Sequence, residues 1–203
     1  MSTLFPFDTT GAEIASDVTD EDLDRGFIAH FEVAAEDAVA ADTDGVHAAV
    51  TDNGGEQEIT TEITDPAVPR NITATAGGTG GDIKAIQVVI DGTNFLDAAI
   101  QETLPAFTGD TPGTVEGSKA FKTVTKATIP AHDGTGATTA IGWGDILGLP
   151  YKRSIMSCID AFLDESKEGT PPTLTVDSSN IEGNTIELDS ALDESKVDAF
   201  IVV

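Results

Sequence analysis

The chain has 203 residues and carries 36 Asp and Glu against 10 Lys and Arg, a formal net charge of −26. This balance argues against nucleic acid as a partner, because contacts to phosphates need a basic face. It does not indicate disorder, since 39% of the residues are hydrophobic and can supply a core. An acidic mimic of nucleic acid, or a protein that binds a basic partner, stays open.

The acidic excess is typical of a halophilic protein. Repulsion among carboxylates opposes folding at low salt, whereas at molar salt the Debye length falls to about 3 Å and screens it. The charge is uneven, with a net of −16 for residues 1–66, −1 for residues 67–153 and −9 for residues 154–203. We therefore expect the near-neutral middle to be buried, either in its own core or against a neighbouring subunit.

In chain order, short strands account for most of the pattern. The predicted strands are residues 26–34, 56–64, 70–76, 83–91, 96–104, 119–129 and 137–143. Glycine-rich turns separate many of them. The alanine-rich residues 33–50 predict a short helix or an irregular arm. The alternation within residues 119–129 places Phe121, Thr123, Thr125, Ala127 and Ile129 on one face.

The C-terminal quarter contains two similar segments. Ile159-Asp160-Ala161-Phe162-Leu163 matches Val197-Asp198-Ala199-Phe200-Ile201 in pattern, and the chain ends in an apolar run. A helical stripe also fits residues 154–164, but the similarity favours two strands that are candidates to pair. Residues 164–193 between them predict loops and a hairpin.

Together these strands predict an all-β fold, an antiparallel β-sandwich or jelly-roll-like module. We expect two regions: an acidic N-terminal arm or small β subdomain over residues 1–66, and a β-sandwich domain over residues 67–203. The lone Cys158 excludes an internal disulfide. It lies in an apolar stretch, which favours a small buried residue over a nucleophile.

The start of the chain lacks the basic residues and apolar run of a signal peptide. No window approaches the roughly 18 apolar residues of a membrane span. We expect a product that is made in the cytoplasm and kept or assembled there, with no membrane partner.

Signals for catalysis or metal binding are weak. His30, His47 and His132 lie in different segments without the spacing of a zinc site. The glycine-rich residues 77–82 lack the Lys-Ser or Lys-Thr ending of a phosphate loop. We therefore expect no enzyme, no catalytic residues and no cofactor.

One acidic cluster has the opening of a calcium loop. Asp20, Asp22 and Asp24 alternate as such a loop requires, but Arg25 and Phe31 stand where glycine and glutamate belong. We interpret the cluster as hydrated surface carboxylates and expect no metal site there.

Five segments carry a resemblance to a known class of protein. They are residues 65–76 (DPAVPRNITATA), 117–125 (GSKAFKTVT), 129–131 (IPA), 133–137 (DGTGA) and 144–150 (GDILGLP). In this order and spacing they resemble small all-β, head-associated structural proteins of tailed viruses. The resemblance covers roughly residues 60–150 well. The acidic composition points to a virus of haloarchaea.

The resemblance implies a capsid decoration or turret protein on the outside of the virion, assembled in the host cytoplasm. Its expected partners are the major capsid protein and other copies of itself, as a trimer, pentamer or hexamer. A tail or adaptor component of the same virion is the nearest alternative. A halophilic cell-surface binding domain is another, although the lack of a signal peptide argues against it.

Five basic residues of the near-neutral middle make up half of all the basic residues of the chain. They are Lys119, Lys122, Lys126, Lys152 and Arg153. We hypothesise that some of them meet acidic groups of a neighbouring subunit or of the shell. The alternative is that they form ion pairs within the chain, which contribute little at high salt.

Overall fold

The computed structural model describes residues 13–15, 22–24, 27–152 and 156–203, the first two ranges by their backbone alone. The strands are β1 (Glu13–Ala15), β2 (Asp22–Asp24), β3 (Ile28–Val33), β4 (Asp42–Thr51), β5 (Gln57–Ile59), β6 (Arg70–Gly78), β7 (Val89–Thr93), β8 (Ala99–Thr103), β9 (Gly113–Phe121), β10 (Thr123–Ile129), β11 (Ala137–Gly148), β12 (Ser157–Leu163), β13 (Ser166–Lys167), β14 (Thr173–Thr175), β15 (Thr185–Glu187) and β16 (Val197–Val202).

These strands form a hairpin, β1-β2, and three larger sheets. The central sheet has the order β14-β15-β11-β6-β9, with β4 also paired to β11. The barrel sheet has the order β5-β10-β7-β8, and the end sheet has the order β13-β12-β16-β3. The strand pairs are antiparallel, for example β11 with β6 and β12 with β16. The predicted all-β antiparallel fold, consistent with a β-sandwich, is confirmed. No helix among the described residues has the length and hydropathy that a membrane span needs.

The central and barrel sheets curl around the first hydrophobic core. β9 continues almost directly into β10, and the Glu102 carboxylate of β8 accepts backbone N–H bonds of β9, including that of Ser118 at 2.8 Å. Ile90, Leu104 and Phe121 are fully buried inside this half-barrel. Because apolar burial is the main driving force for folding, this core accounts for the near-neutral composition of the middle of the chain.

The single strand predicted for residues 119–129 is two strands, and its alternation changes phase. The register of β10 against β7 shifts between Val124 and Lys126, so Thr125 is the extra residue of a β-bulge. Val124, Ala127 and Ile129 are buried, while Thr125 is exposed. The prediction that Thr125 shares a face with Ala127 is therefore wrong, because the bulge advances the pattern by one residue.

The end sheet covers the second hydrophobic core. Val197, Ala199 and Ile201 of β16 are fully buried, and they pack in a cluster that includes Leu147 and Ile186 of the central sheet. Phe162 and Asp198 are register partners in the β12–β16 pair. The predicted pairing of the two similar C-terminal segments is confirmed over residues 157–163 and 197–202; residues 153–155 lie outside the described residues.

Residues 33–50 contain no helix and from Asp42 onward form the strand β4, so the prediction of a short helix or an irregular arm is wrong. A short turn at residues 34–38 leads into β4, which pairs with β11. The ring of Trp143 lies so close to Gly45 that a Cβ there would come within 2.7 Å of ring carbons. β4 forms because it pairs with β11 of the central sheet, and this pairing outweighs the weak strand propensity of its alanine and glycine residues.

Strands on both sides of residue 66 share the same sheets. β3 pairs with β16, β4 pairs with β11, and β5 pairs with β10. The sheets of the predicted β-sandwich region thus include strands from the N-terminal third.

A buried arginine connects the central sheet to the segment between β3 and β4. Arg70 is fully buried at the start of β6, and its Nε–H donates to the Gly144 carbonyl at 2.6 Å. Its other nitrogens donate to the Val39 carbonyl at 2.8 Å and to the Asp145 carboxylate at 3.2 Å. Burial lowers the pKa of Arg70 to about 10, with the Asp145 charge acting in the opposite direction. The arginine therefore ties the segment between β3 and β4 to the central sheet.

Candidate interaction surfaces

A polar ladder runs across the outer side of the barrel sheet; we call it the barrel face. The Lys126 ammonium lies 3.4 Å from a Glu58 oxygen and 3.3 Å from an Asp91 oxygen. The Gln101 amide donates to Asp91 at 2.7 Å, and the Lys119 ammonium donates to the Gln101 carbonyl at 2.8 Å. Cross-strand neighbours of this kind stabilise sheets. Hydrogen bonds to Asp91 and Glu58 raise the pKa of Lys126. Each charged side chain of the ladder thus has a partner within the chain.

The structure describes four of the five lysine and arginine residues predicted for an interface. Lys119 and Lys126 belong to the barrel face. Lys122 lies beside it, between β9 and β10, and pairs with Asp97 at 2.6 Å. Lys152 is exposed outside the barrel sheet, and Arg153 lies outside the described residues. The structure thus brings three of the five together. All three ammonium groups contact oxygen atoms of the same chain. Their contact with a partner stays a prediction.

The end sheet presents a different outer surface, the end-sheet face, formed by His30, Glu32, Phe162, Lys196, Asp198 and Phe200. The His30 ring stacks on Phe200 with centroids 4.9 Å apart and planes 10° from parallel. Phe162 meets Phe200 edge-on at 6.3 Å. Two large apolar side chains near this face, Ile28 and Ile159, are 65% and 51% exposed. The aromatic stack and two of the three exposed large apolar side chains that the structure describes therefore lie at or near this face, and the third, Leu96, lies in the β7–β8 turn of the barrel sheet.

Charged groups on the end-sheet face form a compact cluster. His30 Nε2 lies 2.6 Å from an Asp198 oxygen. The Lys196 ammonium lies 2.7 Å from Glu32 and 3.1 Å from Asp198. Burial raises the pKa of Asp198, but the hydrogen bonds from His30 and Lys196 outweigh it and leave that pKa below its usual value. Sequence reasoning missed this cluster because β3 and β16 are at opposite ends of the chain.

Another histidine, His132, lies inside the half-barrel and has a structural role. His132 Nδ1 accepts the Lys84 N–H at 3.2 Å, so the ring proton is on Nε2, which donates to the Thr139 hydroxyl at 2.9 Å. The His132 N–H donates to the buried Asp52 carboxylate at 2.9 Å. Burial lowers the pKa of His132, opposed by the charges of Asp52 and Asp133. The ring is therefore a neutral part of the core.

Two other sequence features can be placed. Cys158 is half-buried, its Sγ lies 3.3 Å from the Asp160 carbonyl, and burial raises the pKa of its thiol. A raised thiol pKa disfavours a nucleophile. Of the acidic cluster that we interpret as surface carboxylates, Asp20 and Arg25 lie outside the described residues, and only the backbone of Asp22 and Asp24 is described.

Comparison with protein-family models, with curated proteins and with solved structures finds no match to this chain. The functional argument therefore depends on its own residues.

Proposed function

We propose that the protein is a structural component of a virion, a capsid decoration or turret protein of a tailed virus that infects halophilic archaea. It acts as a homo-oligomer bound to the capsid shell, and it is not an enzyme. The observation that supports this most directly is where the resembling segments lie. Residues 65–76, 117–125 and 144–150 fall mainly in or beside β6, β9 and β11, which are neighbours in the central sheet. Three of the five resembling segments therefore include parts of adjacent strands of one sheet, while residues 123–125 and 129 belong to β10 of the barrel sheet.

The surface chemistry is compatible with assembly at high salt. Lysines of the barrel face hold neighbouring carboxylates in place, so this face is less repulsive than the acidic remainder of the surface. Two such faces can approach each other, or a shell, when molar salt screens the residual charge. Closed rotational assemblies suit the threefold, fivefold and sixfold positions of a capsid.

The test of assembly is sedimentation and mass photometry of the full chain, in molar KCl and at low salt. We expect a discrete oligomer of three, five or six copies at molar salt that dissociates when salt is removed. A monomer under both conditions would contradict the proposal and favour a surface-binding domain.

The surface beside the barrel face, where Lys122 pairs with Asp97, is tested by reversing this ion pair rather than removing it. Lys122→Asp combined with Asp97→Lys preserves the pair within the chain but inverts the charge pattern that a partner meets. We expect this variant to dissociate the oligomer. The matched control reverses Lys167 and Asp160, an ion pair of the end sheet, and should leave the oligomer intact. If the Lys122 and Asp97 reversal also leaves it intact, the surface beside the barrel face where this pair lies is not part of the interface.

A further inference from the structure

The charged cluster on the end-sheet face contains three potential metal ligands. His30 and Glu32 are two residues apart on β3, so their side chains emerge on the same side of the sheet. Asp198 is the register partner of Glu32 on β16. One ligand atom from each of the three residues lies within 4.8 Å of the other two. The antiparallel pairing thus assembles the set from positions far apart in the sequence.

The imidazole of this cluster is oriented by packing. Its plane is stacked against Phe200, and Phe200 is itself held edge-on by Phe162. With the ring in this plane, Nε2 points to Asp198 at 2.6 Å. A ligand that neighbouring groups already orient loses less entropy on binding a metal.

The chemistry of the three ligands favours a transition metal over calcium or magnesium. Zinc binds imidazole nitrogen and carboxylate oxygen at about 2.0–2.2 Å, whereas calcium and magnesium prefer oxygen ligands alone. The same nitrogen ligand separates this cluster from the carboxylates that cover the rest of the surface. His30 is 45% exposed and Glu32 is 49% exposed, so water can complete the coordination.

A cation already lies among these carboxylates. The Lys196 ammonium is 2.7 Å from Glu32 and 3.1 Å from Asp198. The side chain is 42% exposed and belongs to a flexible residue type, so it can swing away into solvent. Lys196 is therefore a built-in competitor for a metal ion.

We propose that His30, Glu32 and Asp198 form a binding site for a divalent transition-metal ion such as Zn²⁺, and that the metal displaces the Lys196 ammonium. The bound ion would join edge strand β3 to β16 and hold together strands from opposite ends of the chain.

Titration calorimetry of the full chain with ZnCl₂ in molar KCl tests this proposal. We expect one site per chain and a rise in Tm on saturation, since a ligand that binds the folded state stabilises it. His30→Gln keeps a hydrogen-bond donor near Asp198 but removes the imidazole, and should weaken binding at least about tenfold. Lys196→Met removes the competitor and should tighten binding roughly three- to tenfold.

The matched control is Lys167→Met, because Lys167 pairs with Asp160 on another strand pair of the same sheet. We expect it to bind Zn²⁺ as the wild type does. Equal affinity in the wild type and in His30→Gln would overturn the proposal. So would weaker binding in Lys196→Met, because a structural lysine rather than a competitor would then hold the cluster together.

Discussion

The barrel face and the end-sheet face are both outer surfaces of antiparallel sheets, yet they differ in chemistry. On the barrel face, lysine, carboxylate and amide groups alternate in a ladder in which Lys126 contacts both Glu58 and Asp91. The end-sheet face instead carries a histidine stacked on Phe200 and two exposed isoleucines nearby. The ladder is polar, although Leu96 in the β7–β8 turn is 67% exposed, and the end-sheet face combines aromatic, apolar and metal-ligating groups.

This difference reflects how each face is assembled along the chain. In the barrel sheet β8 directly follows β7, and β10 directly follows β9 of the central sheet, so the lysines at residues 119–126 are close in the sequence and its composition drew attention to them. The end sheet combines β3 with β12 and β16, and its character emerges only when these strands pair. The more distinctive binding chemistry is therefore on the face that the composition did not indicate.

Arg70, which connects the central sheet to the segment between β3 and β4, provides the largest expected effect. Arg70→Met should lower the free energy of unfolding by about 3–5 kcal/mol, because Asp145 loses its partner in a partly buried site. Burial already raises the pKa of Asp145 while Arg70 lowers it. Without Arg70 that pKa rises further, so the variant should gain stability as the pH falls towards the pKa of an unfolded Asp. Chemical denaturation in molar KCl at several pH values measures both effects.

The control for this prediction is the double variant Arg70→Met with Asp145→Asn. The asparagine has no charge but keeps an oxygen to accept the backbone N–H groups of Ala41 and Leu192 that Asp145 now serves. It should recover a substantial part of the loss. A double variant as unstable as the sum of the single variants would show that packing, not the unpaired charge, dominates.

A smaller effect, the dependence of the free energy of unfolding on pH, should come from His132 in the half-barrel. His132 has a lowered pKa in the folded state, so below about pH 6.5 the unfolded chain binds a proton that the folded chain does not. The free energy of unfolding should therefore fall as the pH drops from 6.5 towards the folded pKa. His132→Gln should flatten this slope above pH 5, where most carboxylates remain ionised. An unchanged slope in the variant would assign the pH dependence to other groups.

The sequence predicted those features that short-range patterns encode. Alternating apolar residues and glycine turns indicated the all-β class, and the internal similarity of residues 159–163 and 197–201 indicated the β12–β16 pair. The bulge at Thr125 could not be predicted, because one extra residue in a strand has no distinctive sequence. β4 was missed because its conformation depends on pairing with β11 and on the Trp143 ring above Gly45. The cluster of His30 and Asp198 required a pairing between residues 168 positions apart.

The smallest expected effect concerns the ladder of the barrel face. Lys126→Met removes both ion pairs of an exposed lysine, and exposed pairs contribute little once salt screens them. In molar KCl, at a protein concentration low enough to keep the chain monomeric, we therefore expect almost no change in Tm. At low salt the loss should grow, since Glu58 and Asp91 then repel each other without an intervening cation. A thermal series from low to molar KCl measures this trend, with Lys84→Met, which removes the exposed Lys84–Asp133 pair, as the reference for an isolated ion pair. If both variants respond equally to salt, the ladder adds nothing beyond separate pairs, and the two outer faces differ only in their aromatic and metal-ligating groups.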